Sequence, residues 1–474
     1  MNKNLEALIS NRREMLKWLG LTAAGSIAVP MIGPLRVFGQ QRKVNPLGTA
    51  RNAIMVKLSG AQCPVDTWDF KETRYTPPDL QPRGINADLQ LSETLYPKLV
   101  KSKVLERISF LRSMHARELV HFTGHYHLHT GRALNPGVAK EIPDFGTVIA
   151  AELDSQRRDS DTFPAYMSTN LVRTRTGIVG PGFFPAKFTG LDLDTSIVYN
   201  VFGGKGDADA DLVRRWERLR RLSEVSSADA AALGDKANDY FAYYDYSYRI
   251  LRDPRWAKLF QVSDEDKQRY GFDSPFGQCA ILARNILKAD AGCRFVFITN
   301  STGGNGPFDH HAFIYDRTKP SNHYIECNRI DVGLTTLLED LESTPGHAAG
   351  KTLLDETLVI AISEFGRMPY LNSAAGRDHY NKTYTAMLAG GGVKGGRILG
   401  KTNADCSECI DTGWAHKQQP VFDNLVATFY SALGIDWKKK VKNTPSGRDY
   451  EYIQSAPLGE SAFIPTDPIT ELFV

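Results

Sequence analysis

The chain has 474 residues, 42% of them hydrophobic, 10% aromatic and 23% charged, ordinary for a soluble globular protein and ample for a large core. Its formal charge is only +3, and residues 1–39 account for it, with five basic side chains (Lys3, Arg12, Arg13, Lys17, Arg36) against two acidic ones (Glu6, Glu14). The remainder is near neutral and carries no basic stripe interleaved with aromatics, which excludes nucleic acid as a partner on electrostatic grounds.

In chain order, "SNRREMLKWLG" sets Arg12-Arg13 before Leu16-Lys17 and an Ala- and Gly-rich apolar stretch. This resembles a twin-arginine signal over residues 1–39, read by the export machinery of that name and cleaved near "VFGQQ". The stretch from Trp18 to Leu35 holds three glycines and two prolines, poor material for a permanent membrane span unless the signal stays uncleaved. The expected address is periplasmic or secreted, and residues 40–474 are read as a single domain.

Short apolar runs at Ala53–Leu58, Ile108–Leu111, Arg294–Ile298, Leu358–Ile362 and Ala386–Ala389 read as buried strands. Helical spacing marks Asp144–Leu153, Phe276–Leu287 and Val421–Leu433, the first opened by an acidic cap. Near-continuous apolar strands alternating with helices predict an α/β fold, a mainly parallel sheet covered on both faces. A charged, then tyrosine-rich stretch around 205–260 reads as a helical insertion. Cys406 and Cys409 in "DCSEC" are expected to form a local disulfide, and Cys279 and Cys293 to lie in the core.

In such sheets the reactive groups gather at the carboxyl ends of strands. "VKLSGAQCPVDTWDF" brings Asp66 there, "FITNSTGGNGPFDHH" brings Asp309, His310 and His311, "VIAISEFGR" brings Glu364, and "AAGRDHY" brings Asp378 and His379. Carboxylate oxygen with imidazole nitrogen is the donor set for a divalent ion, Zn²⁺ first and Mn²⁺ or Fe next. Five of the eleven histidines crowd into 115–129: His115, His121, His125, His127 and His129. His121 and His125 share a face if this segment is helical, whereas His125, His127 and His129 share one if it is extended. The bland reading is a loop whose histidines bond backbone carbonyls. Thr130-Gly131 then opens a turn that could present a hydroxyl nucleophile.

"TLVIAISEFGR", "GRDHY" and "AMLAGGGVKGGRILG" together resemble the secreted proteins grouped as domain of unknown function 1501. "GAQCPVDTWDFK" is similar to that family's "GGPSHVDTFDPK" and "GPFDHH" to its "GGWDTH"; "HTGRALNP", "ALGID" and "GRDY" follow in order, over about residues 50 to 450. The resemblance implies an alkaline-phosphatase-like three-layer sandwich of the phosphatase and sulfatase superfamily, with one or two metal ions at strand ends. Carried over by position, it implies Asp66, Asp309, His311, Glu364 and His379 as ligands. Asp378, His310, Arg367 and Arg377 would support them or touch substrate, and Thr130, Cys63 or Thr123 would be the nucleophile.

The departures are Phe365 where the superfamily has a histidine ligand, Pro64 and Cys63 in the first motif, and Asp309 two residues from His311 rather than four. The function implied is hydrolysis of a phosphate or sulfate ester, small or polysaccharide-borne. "CPVDT" lacks the Cys/Ser-x-Pro-x-Arg signature of the usual sulfatases and so favours phosphate. The rival expectation is a non-catalytic, metal-stabilised module that binds a polysaccharide or a protein partner.

Overall fold

The predicted strands all form. β1 (Asn52–Lys57), β2 (Ile108–Met114), β3 (Tyr166–Thr169), β4 (Leu191–Leu193), β5 (Phe295–Thr299), β6 (Thr357–Ile362), β7 (Tyr384–Ala389) and β8 (Ile398–Leu399) make one sheet. Its order is β8-β2-β7-β6-β1-β5-β3-β4. The computed structural model describes residues 44–473, apart from 87, 174–178, most of 204–245, 302 and 456–462. The twin-arginine-like segment and most of the expected insertion lie outside the described residues.

Among the described strands β7 alone runs antiparallel, against both β2 and β6, so seven strands point one way. The centre is in register, with Ile54 of β1 beside Val296 and Val359. Alternation then sorts the side chains. Ile54, Val56, Val296, Ile298, Val359 and Ala361 enter one core, with the helices Pro275–Lys288 and His323–Ser343. Ala53, Met55, Phe295, Phe297, Leu358 and Ile360 enter the other, with Phe145–Glu152 and Phe422–Ala432. Burial on both faces is why these strands read as continuous apolar runs. The result is three layers, helices–sheet–helices.

The three predicted helices form almost to the residue, and the Asp144 side chain caps its helix by accepting from Gly146 N. His121–Thr130 is also a helix, labelled α1, which settles the histidine-rich segment as helical. It ends where Gly131 turns left-handed at φ 62°. From the expected insertion, Pro254–Lys258 is a short helix whose Trp256 packs edge-on against Phe163 and Phe260.

The expected Cys406–Cys409 disulfide is absent, and all six cysteines are free thiols. Cys406 sits at φ 61°, which turns its thiol into the core to donate to the Asp69 carbonyl, while Cys409 donates to Asp411 O. Cys279 and Cys293 are buried, as expected.

Candidate metal centre

The parallel strands deliver their carboxyl ends to one edge, and two of those ends meet there. β6 stops at Ile362 and Ser363-Glu364 follows; β1 stops at Lys57 and turns at Gly60. Gly60 has φ 99°, and a Cβ there would meet Asp309 N at 2.5 Å. Only glycine lets the 308–309 loop close over the strand end. Gly60 N–H also donates to Glu364 Oε1 at 2.9 Å. α1 comes in from the far side through Gly124, whose place for a Cβ lies 3.0 Å from Glu364 Cβ.

Six side chains converge. His121 stands between two acids, its Nδ1 2.7 Å from Glu364 Oε1 and its Nε2 3.0 Å from Asp309 Oδ1. His125, one turn along α1, holds Nε2 3.2 Å from Glu364 Oε1. His311 Nε2 lies 3.1 Å from Asp309 Oδ1 and 2.9 Å from His379 Nε2. Two donor groups result, His121-Asp309-His311-His379 and His121-His125-Glu364, with ligand atoms within 4.8 Å in each and His121 shared.

The outer contacts fix where the ring protons sit. His379 Nδ1 donates to Leu119 O at 2.6 Å, and His311 Nδ1 donates to Asp378 Oδ1 at 2.7 Å. Each ring in its neutral form therefore turns a bare Nε2 lone pair inward, towards the other and towards Asp309. Arg367 Nη1 also donates to His311 Nε2 at 3.2 Å, and two imidazole nitrogens 2.9 Å apart beside a carboxylate form a set of donors that a divalent ion would satisfy. Below, Glu364 Oε2 and His125 Nδ1 are buried with no hydrogen-bond partner among the described residues. The donor set thus fits a divalent ion in chemistry and in convergence.

Electrostatics hold the acids ionised. Burial would raise Asp309, but hydrogen bonds from His121, Arg367 and Asn305 keep it far below the carboxylate range. Glu364 is also pushed up by burial, and His125 and His121 outweigh that and hold it well below normal. Burial and then Lys57 lower His125 to about 4, so this imidazole is neutral. Lys57, fully buried, is brought down to about 8 by desolvation against the pull of Glu364. The Arg367 guanidinium is wholly committed, to Ala61 O, Gly60 O, Arg377 O, His311 and Asp309 Oδ1.

Of the ligands implied by resemblance, Asp309, His311, Glu364 and His379 come together, with Asp378 behind His311 and Arg367 behind Asp309. Asp66 does not join them. Its carboxylate pairs with Arg377 Nη2 at 3.2 Å and accepts from Tyr315 OH at 2.7 Å, in a fully buried pair. That pair also takes Arg377 away from any ester oxygen. His310 packs its ring beside Phe308 and His323, with both ring nitrogens unpartnered among the described residues.

Two of the three nucleophile candidates, Thr130 and Cys63, stand apart as well, and the third, Thr123, is on α1 between His121 and His125. Thr130 closes α1, nine residues and about 13 Å of helix from His121, and its hydroxyl donates to Tyr126 O. Burial, then Asp66, pushes the Cys63 thiol far up, so it has no thiolate to offer. Thr123 Oγ1 is exposed and donates to Val120 O.

His121 and His125 were not among the assigned ligands, although their i, i+4 spacing was the signal. Phe365 is fully buried, with its ring 5.0 Å from that of His121 and 4.4 Å from that of His379. Phe365 gives the group an apolar floor, and α1 lays the His121 ring against it. His127 and His129 bond carboxylates, Asp423 and Asp144, rather than the backbone carbonyls expected.

Solved structures that resemble the chain include a protein in the alkaline phosphatase superfamily from Vibrio parahaemolyticus (12% identity, covering 83% of this chain and 69% of that one, TM-score 0.37). Others are the lipoteichoic acid synthase LtaP from Listeria monocytogenes (10%, 83% and 74%, 0.36) and the PsFucS1 sulfatase from Pseudoalteromonas sp. (10%, 92% and 72%, 0.35). No curated protein matches the sequence. The profile of the family described as "Protein of unknown function (DUF1501)" matches residues 50–458, and the chain belongs to that family.

Proposed function

We propose that the chain is an exported, metal-dependent hydrolase of phosphate or sulfate esters, phosphate first, in which water rather than a protein hydroxyl attacks. The observation that carries this reading is the inward pair of Nε2 atoms, His311 and His379, each held by its outer Nδ1–H and both facing Asp309. Asp309, His311, His379 and His121 would hold one ion, and Glu364 with His121 and His125 a second. Zn²⁺ suits this set best. Such an ion supplies Lewis acidity, polarising the ester and stabilising the leaving oxygen.

The protein's own part is orientation and charge. Asn372 Nδ2 donates to Asp378 Oδ1 at 3.0 Å, Asp378 aims His311, and the Leu119 carbonyl aims His379. Arg367 keeps Asp309 ionised and fixed. The half-exposed His311 and Asp378 leave the group open on one side to an ester, and the buried Phe365 closes it beneath. With Thr130 and Cys63 elsewhere and the Thr123 hydroxyl turned back onto Val120 O, an attacking water takes the place of a covalent route. Export rests on the Arg12-Arg13 motif.

The test is metal analysis of the purified protein beside a panel of aryl phosphate, phosphodiester and aryl sulfate substrates. Metal should co-purify, and turnover of a phosphate ester should disappear on chelation and return with Zn²⁺ or Mn²⁺. Metal bound with no turnover of any ester would sink the hydrolase and leave the metal-stabilised binding module.

A further inference from the structure

Scattered exposed apolar side chains are ordinary on a protein surface, but their concentration around one site is not. Among the described residues nine large hydrophobics are exposed, and five of them, Leu119, Val120, Phe122, Phe313 and Tyr370, ride on the segments that carry the candidate ligands. Leu119, Val120 and Phe122 flank His121 at the start of α1, and Leu119 O receives the His379 Nδ1–H. Phe313 follows His311 by two residues. Its N–H donates to Ala374 O, which ties it to the 368–378 loop that carries Tyr370 and ends in Asp378.

These five side chains are 43–59% exposed, on the segments that also carry the half-exposed His311 and Asp378 or accept from His379. Within the group itself the buried Phe365 adds apolar surface, packed against the rings of His121 and His379. Arg367, the buried guanidinium nearest the group, has no N–H left for a polar substrate. A sugar needs fixed donors and acceptors on its hydroxyls, and these five side chains offer mainly aliphatic and aromatic carbon, with Lys319 Nζ 4.9 Å from the Phe313 ring centroid.

We propose that Leu119, Val120, Phe122, Phe313 and Tyr370 form an apolar collar that receives a hydrophobic leaving group, making the substrate an ester of an apolar alcohol or phenol. This rests on the hydrolase reading above. A water-exposed collar beside the ligands contributes by burying carbon of the substrate, and it discriminates by chain length rather than by stereochemistry.

The experiment is a series of 4-alkylphenyl phosphates from phenyl to butylphenyl, whose leaving-group acidity is nearly constant, with the metal-loaded full chain. kcat/KM should rise about twofold per methylene, the gain for a half-buried CH₂. The Val120→Ser/Phe122→Ser variant should flatten that slope while its metal content matches the parent. Val120 is the N-cap of α1 with no capping side chain, so serine there supports the helix and folding is not at risk. A flat series on protein that does turn over phenyl phosphate overturns the collar and leaves the hydrolase standing. Metal bound with no turnover of any member overturns both.

Discussion

Two buried acid–imidazole groups lie at neighbouring strand ends, and they differ in one respect. Around Asp66 the charge is closed internally: Arg377 and Tyr315 take the carboxylate oxygens, and His323 stands 3.8 Å away. Around Asp309 and Glu364 it is left open, with Nε2 lone pairs facing each other, Glu364 Oε2 unpartnered, and His121 between two carboxylates. Residue type does not separate a metal ligand from a structural acid, since both groups have an Asp and histidines. What separates them is how completely the chain satisfies the acids: Arg377 and Tyr315 close Asp66, whereas Asp309 shares Arg367 with His311 and Glu364 keeps a buried Oε2 with no partner among the described residues.

The sharpest way to break this comparison is to remove each acid in turn. Asp309→Ala should abolish esterase turnover and bring bound metal to background by elemental analysis, while thermal unfolding stays cooperative. Asp66→Ala should do the reverse. It leaves Arg377 buried without its partner, a defect of about 3–5 kcal/mol in chemical denaturation, with metal content per folded molecule unchanged. If Asp66→Ala empties the site, the separation of the two groups is wrong.

Much of this was legible in the sequence. Buried parallel strands announce themselves as apolar runs, so β1, β2, β5, β6 and β7 were all anticipated, and the strand-end rule then pointed to Glu364, Asp309, His311 and His379. The helix His323–Ser343 was not, because its buried face carries Glu326, Asp331, Thr335 and Asp340, and Asp331 is turned inward to accept Lys98 N and Leu99 N. Hydrophobic periodicity is blind to a polar residue that is buried for such a purpose. β3 and β4 are only four and three residues long, too short to show a period. Asp66, expected among the ligands, pairs with a partner more than three hundred residues away. His121 and His125, which join the group, turn on whether one segment is helix or strand, and their packing on Glu364 is tertiary.

A pH measurement on chelated protein sharpens the comparison next. Burial lowers His121, but hydrogen bonds to Asp309 and Glu364 outweigh it and raise the imidazole from 6.5 to about 9. The folded value exceeds the unfolded one, so this stabilisation is full below pH 6.5 and is lost as pH rises through 9. That is roughly 3 kcal/mol across the window, at about 1.4 kcal/mol per pH unit. His121→Asn should remove the slope. Metal-loaded protein should lack it too, because the ion takes the proton's place between the acids. Asp378→Ala is milder, since it frees the His311 ring without deleting a ligand, and metal affinity should fall about 10–100-fold. An unchanged affinity would mean that His311 is not held for a metal.

The smallest effect is expected at Thr130, and it decides the nucleophile. Its hydroxyl donates to Tyr126 O at 2.9 Å, in the last turn of α1, and receives Arg132 N–H at 3.2 Å, just past the helix end. Thr130→Val keeps the shape and removes those bonds, which is about 1 kcal/mol of stability and nothing at the metal centre a helix length away. kcat on an aryl phosphate should therefore stay within about twofold of the parent, since a polar change this far from the reacting group alters no transition-state contact. A protein nucleophile would behave differently, because its removal abolishes the covalent route outright. A collapse in kcat with metal content intact would restore Thr130 to the reaction and require α1 to present its far end to the substrate.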